Sequence, residues 1–320
     1  MSAESLSTSL VLALVQGVLA LGGAPLLYGL MRRVKARFQY RHGPSIWQPY
    51  HDLRKWWGKT AVESDAASPL TGVAPAIVLT AMIVALLILP IVALRSPLER
   101  SGDLLVVLGL LALARFVLAL AALDAGSAFG GMGASRDVAI ASLVEPGVLL
   151  ALAVVVAGAG TTDLAGIAGQ GAGAGLAMYT PALVLALIAF AIVAIAETGH
   201  EPVDNPDTHL ELTMIHEGML LEASGRRLAI LMYASQIRLV VVLGLFTAVF
   251  MPFGAATEMT APALALGVMA AAGKFILGAG LLATVDAGVA KLRILALPGL
   301  LGLSSLLALT ALAVRLWLPA

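Results

Sequence analysis

"DLLVVLGLLALARFVLALAAL", residues 103–123, runs apolar from Leu104 to Leu123 with one charge, Arg115, near its centre. A segment of about 20 apolar residues matches the hydrocarbon thickness of a bilayer when helical. Seven further segments share this character, at roughly 5–31, 71–94, 138–159, 179–197, 228–251, 262–285 and 293–317. Composition agrees: of 320 residues 60% are hydrophobic and 12% charged, with mean hydropathy +0.98. Such a chain lies outside the range of soluble domains. The expected fold is all-α, a polytopic membrane protein with about eight transmembrane helices and two long cytoplasmic loops, 32–70 and 198–227. Residues 1–320 read as one integral membrane domain without internal repeats. The first apolar segment is too long for a signal-peptide core and lacks a basic leader, so it reads as a retained span.

Lysine and arginine distribution orients the spans. The loops after the odd-numbered spans carry Arg32, Arg33, Lys35, Arg37, Arg41, Arg54, Lys55, Lys59, Arg136, Arg226, Arg227, Lys291 and Arg293. Between the even spans and in the tails stand only Arg95, Arg100 and Arg315. The positive-inside rule therefore places the odd loops in the cytoplasm and both termini in the periplasm. Nineteen basic residues balance nineteen acidic ones, so no nucleic-acid partner is expected. With no cysteine, the chain supplies no thiolate for iron-sulfur clusters or zinc.

Four charges fall within spans: Arg115, Glu145, Arg238 and Lys274. Each costs about 2.5–3.5 kcal/mol to insert, so they are expected to face one another or water. The first loop mixes its cations with aromatics, and "YHDLRKWWGK" at 50–59 predicts a short amphipathic helix with Tyr50, Leu53, Trp56 and Trp57 on one side. "LDAGSAFGGMGASRD" at 123–137 reads as a mobile, glycine-rich connection whose Asp124, Arg136 and Asp137 can pair with neighbouring loops; "GIAGQGAGAG" at 166–175 reads as a flexible outer loop.

The end of the fifth span and the loop after it gather seven of the nineteen acids. "ETGHEPVDNPDTHLELTMIHEGMLLEASGRR", residues 197–227, holds Glu197, Glu201, Asp204, Asp207, Glu211, Glu217 and Glu222 with three histidines. "EPVDNP" predicts extended chain. Thr208 and Glu211 form a capping-box pattern that starts a helix to about Glu222, ended by Ser224-Gly225. The leucines and methionines between its acids require burial. Crowded, partly buried carboxylates repel one another, and some must hold protons near neutral pH. No ligand spacing typical of a metal site occurs, so no metal is expected.

The stretches "RRVKARFQYRHGPSIWQP" (32–49), "GSAFGGMGASRD" with "SLVEP" (126–146), and "ETGHEPVDNP" with "EASG" (197–225) together resemble the subunit 1 family of respiratory complex I and its hydrogenase relatives. Within it, "PVDNPDTHLELTMIHEGMLLE" is most similar to membrane subunits of formate hydrogenlyase-type, group 4 hydrogenases. One departure is a missing arginine near Gly199-His200. The resemblance implies an oxidoreductase subunit without its own redox centre, in a bacterial inner membrane, coupling electron transfer to proton or sodium movement. Implied partners are hydrogenase large and small subunits and an iron-sulfur subunit carrying nickel-iron and iron-sulfur centres, with antiporter-like membrane subunits. Arg37, Gln39, Arg41, Gly43, Pro44, Trp47 and Pro49 would form the docking face or cavity for the peripheral arm. Glu145, Glu197, Asp204, Glu211, Glu217, Glu222, Asp124, Arg115 and Lys274 would form the coupling path. The same resemblance leaves open a quinone-site subunit of an NADH-quinone oxidoreductase, in which the cavity receives a quinone; residues alone also leave an autonomous secondary ion transporter.

Overall fold

The computed structural model describes residues 3–62, 64, 66–95, 98, 102–205 and 214–317, with side chains from Val11 onward. Among these, eleven α-helices form: α1 (Ala3–Phe38), α2 (Gln48–Trp57), α3 (Pro69–Ile88), α4 (Leu104–Asp124), α5 (Ala128–Ala159), α6 (Leu164–Ala174), α7 (Pro181–Glu197), α8 (His216–Leu220), α9 (Gly225–Phe250), α10 (Ala261–Gly288) and α11 (Leu297–Trp317). Seven are long and apolar enough to cross a membrane. The 17-residue α7 makes an eighth at the short limit, and α6 meets it at a bend of 115°.

Local chemistry sets the boundaries. The side chains of Ser68, Asp103, Ser127 and Thr180 accept from backbone N–H groups of Leu70, Leu105, Gly130 and Leu183, and Pro69 and Pro181 occupy first turns that need no donor. Pro90, expected inside a span, instead follows the end of α3, whose final carbonyls lose their intrahelical donors. Buried Gln16 on α1 supplies the replacement, its Nε2 donating to Leu86 O at 2.9 Å and Leu89 O at 2.8 Å.

Several expectations fail for identifiable reasons. The connection at 123–137 is mostly helix, because α5 starts at Ala128 behind its Ser127 cap and its glycines serve as packing surface. The stretch 166–175, expected as a flexible outer loop, falls almost wholly in α6 behind the Asp163 cap. The segment 201–203 turns rather than extends, with a cis bond at Glu201–Pro202. Met214 and Ile215 are not helical, so no continuous helix reaches Glu222; only five-residue α8 remains, while Thr208 and Glu211 lie outside the described residues. Ser224-Gly225 opens α9 instead of closing a helix. Gly225 has φ +54°, and a Cβ there would sit 2.7 Å from the carbonyls of Lys59 and Thr60. On α2, Trp57 points away from the half-buried side with 55% exposure.

The core is built around α9, buried over 67% of its most apolar window, against 17% for α10 and 28% for α11. Phe190 of α7 stacks with Phe246 and tilts against Phe250 of α9, with centroids 6.2 and 5.5 Å apart. Lipid gives helices no hydrophobic reason to associate, so close packing by small residues carries more of the work. Gly147 of α5 receives Val193 of α7 and the Ser304 and Ser305 hydroxyls of α11, and Ser304 donates to the Ala189 carbonyl at 2.9 Å.

Bonds between connections define two ends. At one, Ser224 bonds both backbone groups of Val62, Asp124 accepts from Ser68 and Thr71, and Leu292 N–H donates to Pro202 O at 2.9 Å. Both long loops thus share one side. At the other end, Leu94 N–H donates to Ala256 O at 3.0 Å, Leu104 N–H to Thr162 O at 2.9 Å, and Arg315 reaches Gly158 O at 3.4 Å.

A sharp test of this packing is Gly29, where a Cβ would overlap the Ile46 carbonyl of the first loop, while at Gly22 no atom lies within 4 Å of one. Gly29→Leu should destabilise the chain by about 1–3 kcal/mol or more, visible as a lower detergent melting temperature, whereas Gly22→Leu should stay near wild type.

Candidate functional site

At the loop end of the bundle the last turn of α7 delivers Glu197 into a space closed by α4, α5 and α9. Its Oε2 accepts from Arg115 of α4 in a short contact, and its Oε1 accepts from Arg238 of α9 at 2.8 Å. Arg115 also lies 3.5 Å from Glu145 and 3.8 Å from Asp137, both on α5. Glu197 and Arg115 are buried, while the Glu145 side chain is 51% exposed. Two fixed cations and three carboxylates therefore share one low-dielectric neighbourhood, each ion compensated by the next.

A second tier sits nearer the loops. Asp204 accepts from Lys291 at 2.7 Å, from His216 N–H at 3.0 Å and from Asn205 N–H at 2.8 Å. Buried Lys35, in the last turns of α1, lies 3.9 Å from buried Glu201. His200 Nδ1 is 3.0 Å from Asp286 Oδ2 of α10, whose other oxygen accepts from Glu201 N–H at 3.0 Å. The expectation of acids crowded against one another is corrected: Glu197, Glu201 and Asp204 each have a basic partner.

Between the tiers lies an inner cavity of about 70 Å³, lined by Asp137, Glu197, His200, Asp204, His216, Glu217 and Arg238 among others. Three buried polar atoms on its lining residues, Asp137 Oδ2, His216 Nε2 and Arg238 Nε, have no hydrogen-bond partner among the described residues. Buried polar groups are seldom left this way, and the space admits water, so the arrangement fits a hydrated cavity. A larger cavity of about 270 Å³ lies on the other side of the clasp, lined by Arg115, Glu145 and Glu197 within otherwise apolar walls. Glu197 lines both.

Close backbone contact holds the acidic segment in place. A Cβ on Gly133 of α5 would come within 2.8 Å of Ile215 O and 3.1 Å of Met219 N, so only glycine lets α8 lie against α5 here. Arg136 Nη1 adds a bond to Met214 O at 3.2 Å.

The structure joins Arg115, Glu145 and Glu197 in the clasp, and brings Asp204 and Glu217 to the inner cavity. It does not bring the rest. Asp124 caps the start of α3 through Ser68 and Thr71; Glu222 is exposed; Glu211 is outside the described residues. Lys274, expected to meet a carboxylate or water, donates to Met251 O at 2.6 Å and stands apart from the acids. In the first loop, Arg37, Gln39, Arg41 and Trp47 are exposed, Arg41 donates to Gln39 at 2.8 Å, and Gly43, Pro44 and Pro49 pack inward as its frame. Sequence reasoning left Lys35, Asp137, His200, Glu201, Arg238, Asp286 and Lys291 out of the site. Asp286 carried a usable signal, a carboxylate adjoining an apolar span.

The chain belongs to the NADH dehydrogenase family, whose profile matches residues 10–317. It is 35% identical to formate hydrogenlyase subunit 4 of Escherichia coli over 89% of this chain and 92% of that one, and 37% identical to hydrogenase-4 component C of the same organism over 78% of each. Identity to a subunit of the NADH-quinone oxidoreductase of Koribacter versatilis is 27%, over 67% of this chain and 53% of that one. The fold also matches a chain of an archaeal respiratory membrane complex, the membrane-bound sulfane sulfur reductase, with TM-score 0.83 and 24% identity over 95% of this chain and 98% of that one.

Removing Arg115 leaves Glu197 short of one cation and Asp137 and Glu145 without theirs. Arg115→Met should therefore cost about 3–5 kcal/mol, read as a large fall in detergent melting temperature. Lys274→Met, losing one bond to a backbone carbonyl, should cost far less.

Proposed function

We propose that this chain is the membrane subunit of a group 4, formate hydrogenlyase-like hydrogenase complex, where it anchors the peripheral arm and couples electron transfer to proton or sodium translocation. The observation that carries the coupling is the inner cavity, with its orphaned polar atoms, the Glu217 carboxylate and a wall shared with the ion clasp. Among the described residues no cation lies within ion-pair distance of Glu217, whose carboxylate lines the cavity. A carboxylate whose environment shifts with a neighbour's state must exchange protons as that state changes. Higher identity to the two hydrogenase components than to the quinone oxidoreductase chain supports the hydrogenase reading.

The arm would rest over 32–70 and 198–227, the side that the lysine and arginine distribution assigns to the cytoplasm of a bacterial inner membrane. Partners there would be hydrogenase large and small subunits and an iron-sulfur subunit carrying the nickel-iron and iron-sulfur centres; antiporter-like subunits would adjoin in the membrane. Exposed Tyr40, Trp47, Arg37 and Arg41 offer the mixed aromatic and guanidinium surface that protein interfaces favour.

Two experiments test this. Glu217→Gln should leave the complex assembled and evolving hydrogen while ion uptake into proteoliposomes falls about ten-fold or more; wild-type uptake would overturn the coupling role. The pair Arg37→Glu and Arg41→Glu should release the peripheral subunits during affinity purification, with the membrane subunit's own melting temperature unchanged; retention at wild-type stoichiometry would remove this face from the interface.

A further inference from the structure

Asp286 is 3% exposed and lies at the loop end of α10. It differs from the other buried acids of the site: Glu197 has two arginines, Glu201 has Lys35 and Asp204 has Lys291. Among the described residues its charged contact is His200 alone, with the Glu201 N–H on its second oxygen. A lysine or arginine holds its charge permanently at physiological pH; a histidine carries charge only while protonated. An isolated buried carboxylate is heavily penalised, so this pair is stable when it shares one proton, whichever partner formally bears it. His200 is itself 4% exposed, yet it lines the inner cavity. The proton thus lies between a group facing that cavity and a group anchored on α10.

We propose that His200 and Asp286 form the proton-exchanging pair of the inner cavity, taking up and releasing one proton as a unit. This rests on the coupling function proposed above and names its carrier. Uptake converts a buried imidazole and carboxylate into an ion pair; release returns the proton to cavity water and leaves a buried negative charge. The groups that feel this change are Lys35 and Glu201 beside the pair and Asp204 with Lys291 below it. Across the cavity stand His216 and Glu217 of α8, Asp137 of α5, and Glu197 held by Arg238 of α9. The charge left at Asp286 acts by Coulomb attraction on Lys35 and by repulsion on these acids, which ties the pair to α1, α8 and α9. The pair also gives α10 two hydrogen bonds to the acidic segment, one to the His200 ring and one from Glu201 N–H.

The test uses the whole complex in proteoliposomes, with hydrogen evolution and ion uptake recorded from pH 5 to 9. His200→Gln and Asp286→Asn keep hydrogen-bonding groups in place but remove the titrating partner; His200→Lys supplies a cation that keeps its charge over this range. Each should lower ion uptake per hydrogen about ten-fold or more while the complex assembles, and should flatten the pH dependence of uptake. Combining His200→Gln with Asp286→Asn should do no more harm than either alone, as expected of groups that act together. Wild-type stoichiometry and pH profile in His200→Lys would show a structural ion pair and overturn the proposal, as would losses that multiply in the double variant. If Gln and Asn variants fail to assemble, His200→Lys decides alone. Absence of ion uptake in the wild-type complex would instead overturn the coupling function itself.

Discussion

One carboxylate between two guanidiniums governs the arrangement of this protein. Glu197 closes α7, and its two oxygens are taken by Arg115 from α4 and Arg238 from α9. None of these ions could enter an apolar bundle alone, since each would cost several kcal/mol in hydrocarbon. Together they fix the rotation and depth of three helices, a constraint that interchangeable leucine and alanine surfaces cannot provide. The pairing is geometrically selective: a turn of α7 more or less would leave three charges stranded. Small residues then determine how closely the helices approach, as at Gly147, and at Gly133 they admit the short α8 and the residue before it.

The acid-rich segment follows from the same rule. Once the chain leaves Glu197 it remains buried at His200, Glu201 and Asp204, so every acid needs a partner from another element. Lys35 comes from the end of α1, Lys291 from the connection after α10, and Asp286 meets His200 from α10 itself. The segment consequently ties the first and the penultimate spans to the centre. Loop residues here perform the stapling that disulfides or a larger soluble core would perform elsewhere.

The spans were legible because a bilayer demands long apolar helices, and the number of segments, their order and the shared side of both loops follow from hydropathy and charge. Helix starts and stops were less so. Ser127 and Asp163 cap helices rich in glycine, a composition that reads as loop when the cap is given too little weight. Pro90 ended a helix that could as easily have kinked, because the fate of its freed carbonyls depended on Gln16, 70 residues or more away. In the site, Arg115, Glu145 and Arg238 were readable as charges within spans, and Glu197 as the acid that closes one. Lys35 and Lys291 were not, since each looks like an ordinary positive flank until its loop partner is known. Lys274 misled for the opposite reason: a mid-span lysine can be satisfied by one helix-end carbonyl.

The position of Glu197 on the walls of both cavities constrains any route through the protein. Protonating a carboxylate held by two guanidiniums would forfeit two charge-assisted hydrogen bonds. Movement between the cavities at this point therefore requires one arginine to let go. Arg115 has an alternative acid to serve: among the described residues its Nε is buried without a hydrogen-bond partner, and the orphaned Asp137 Oδ2 lies 3.8 Å from it. A guanidinium that rotated from Glu197 toward Asp137 would exchange one charged contact for another and leave Glu197 with a single arginine.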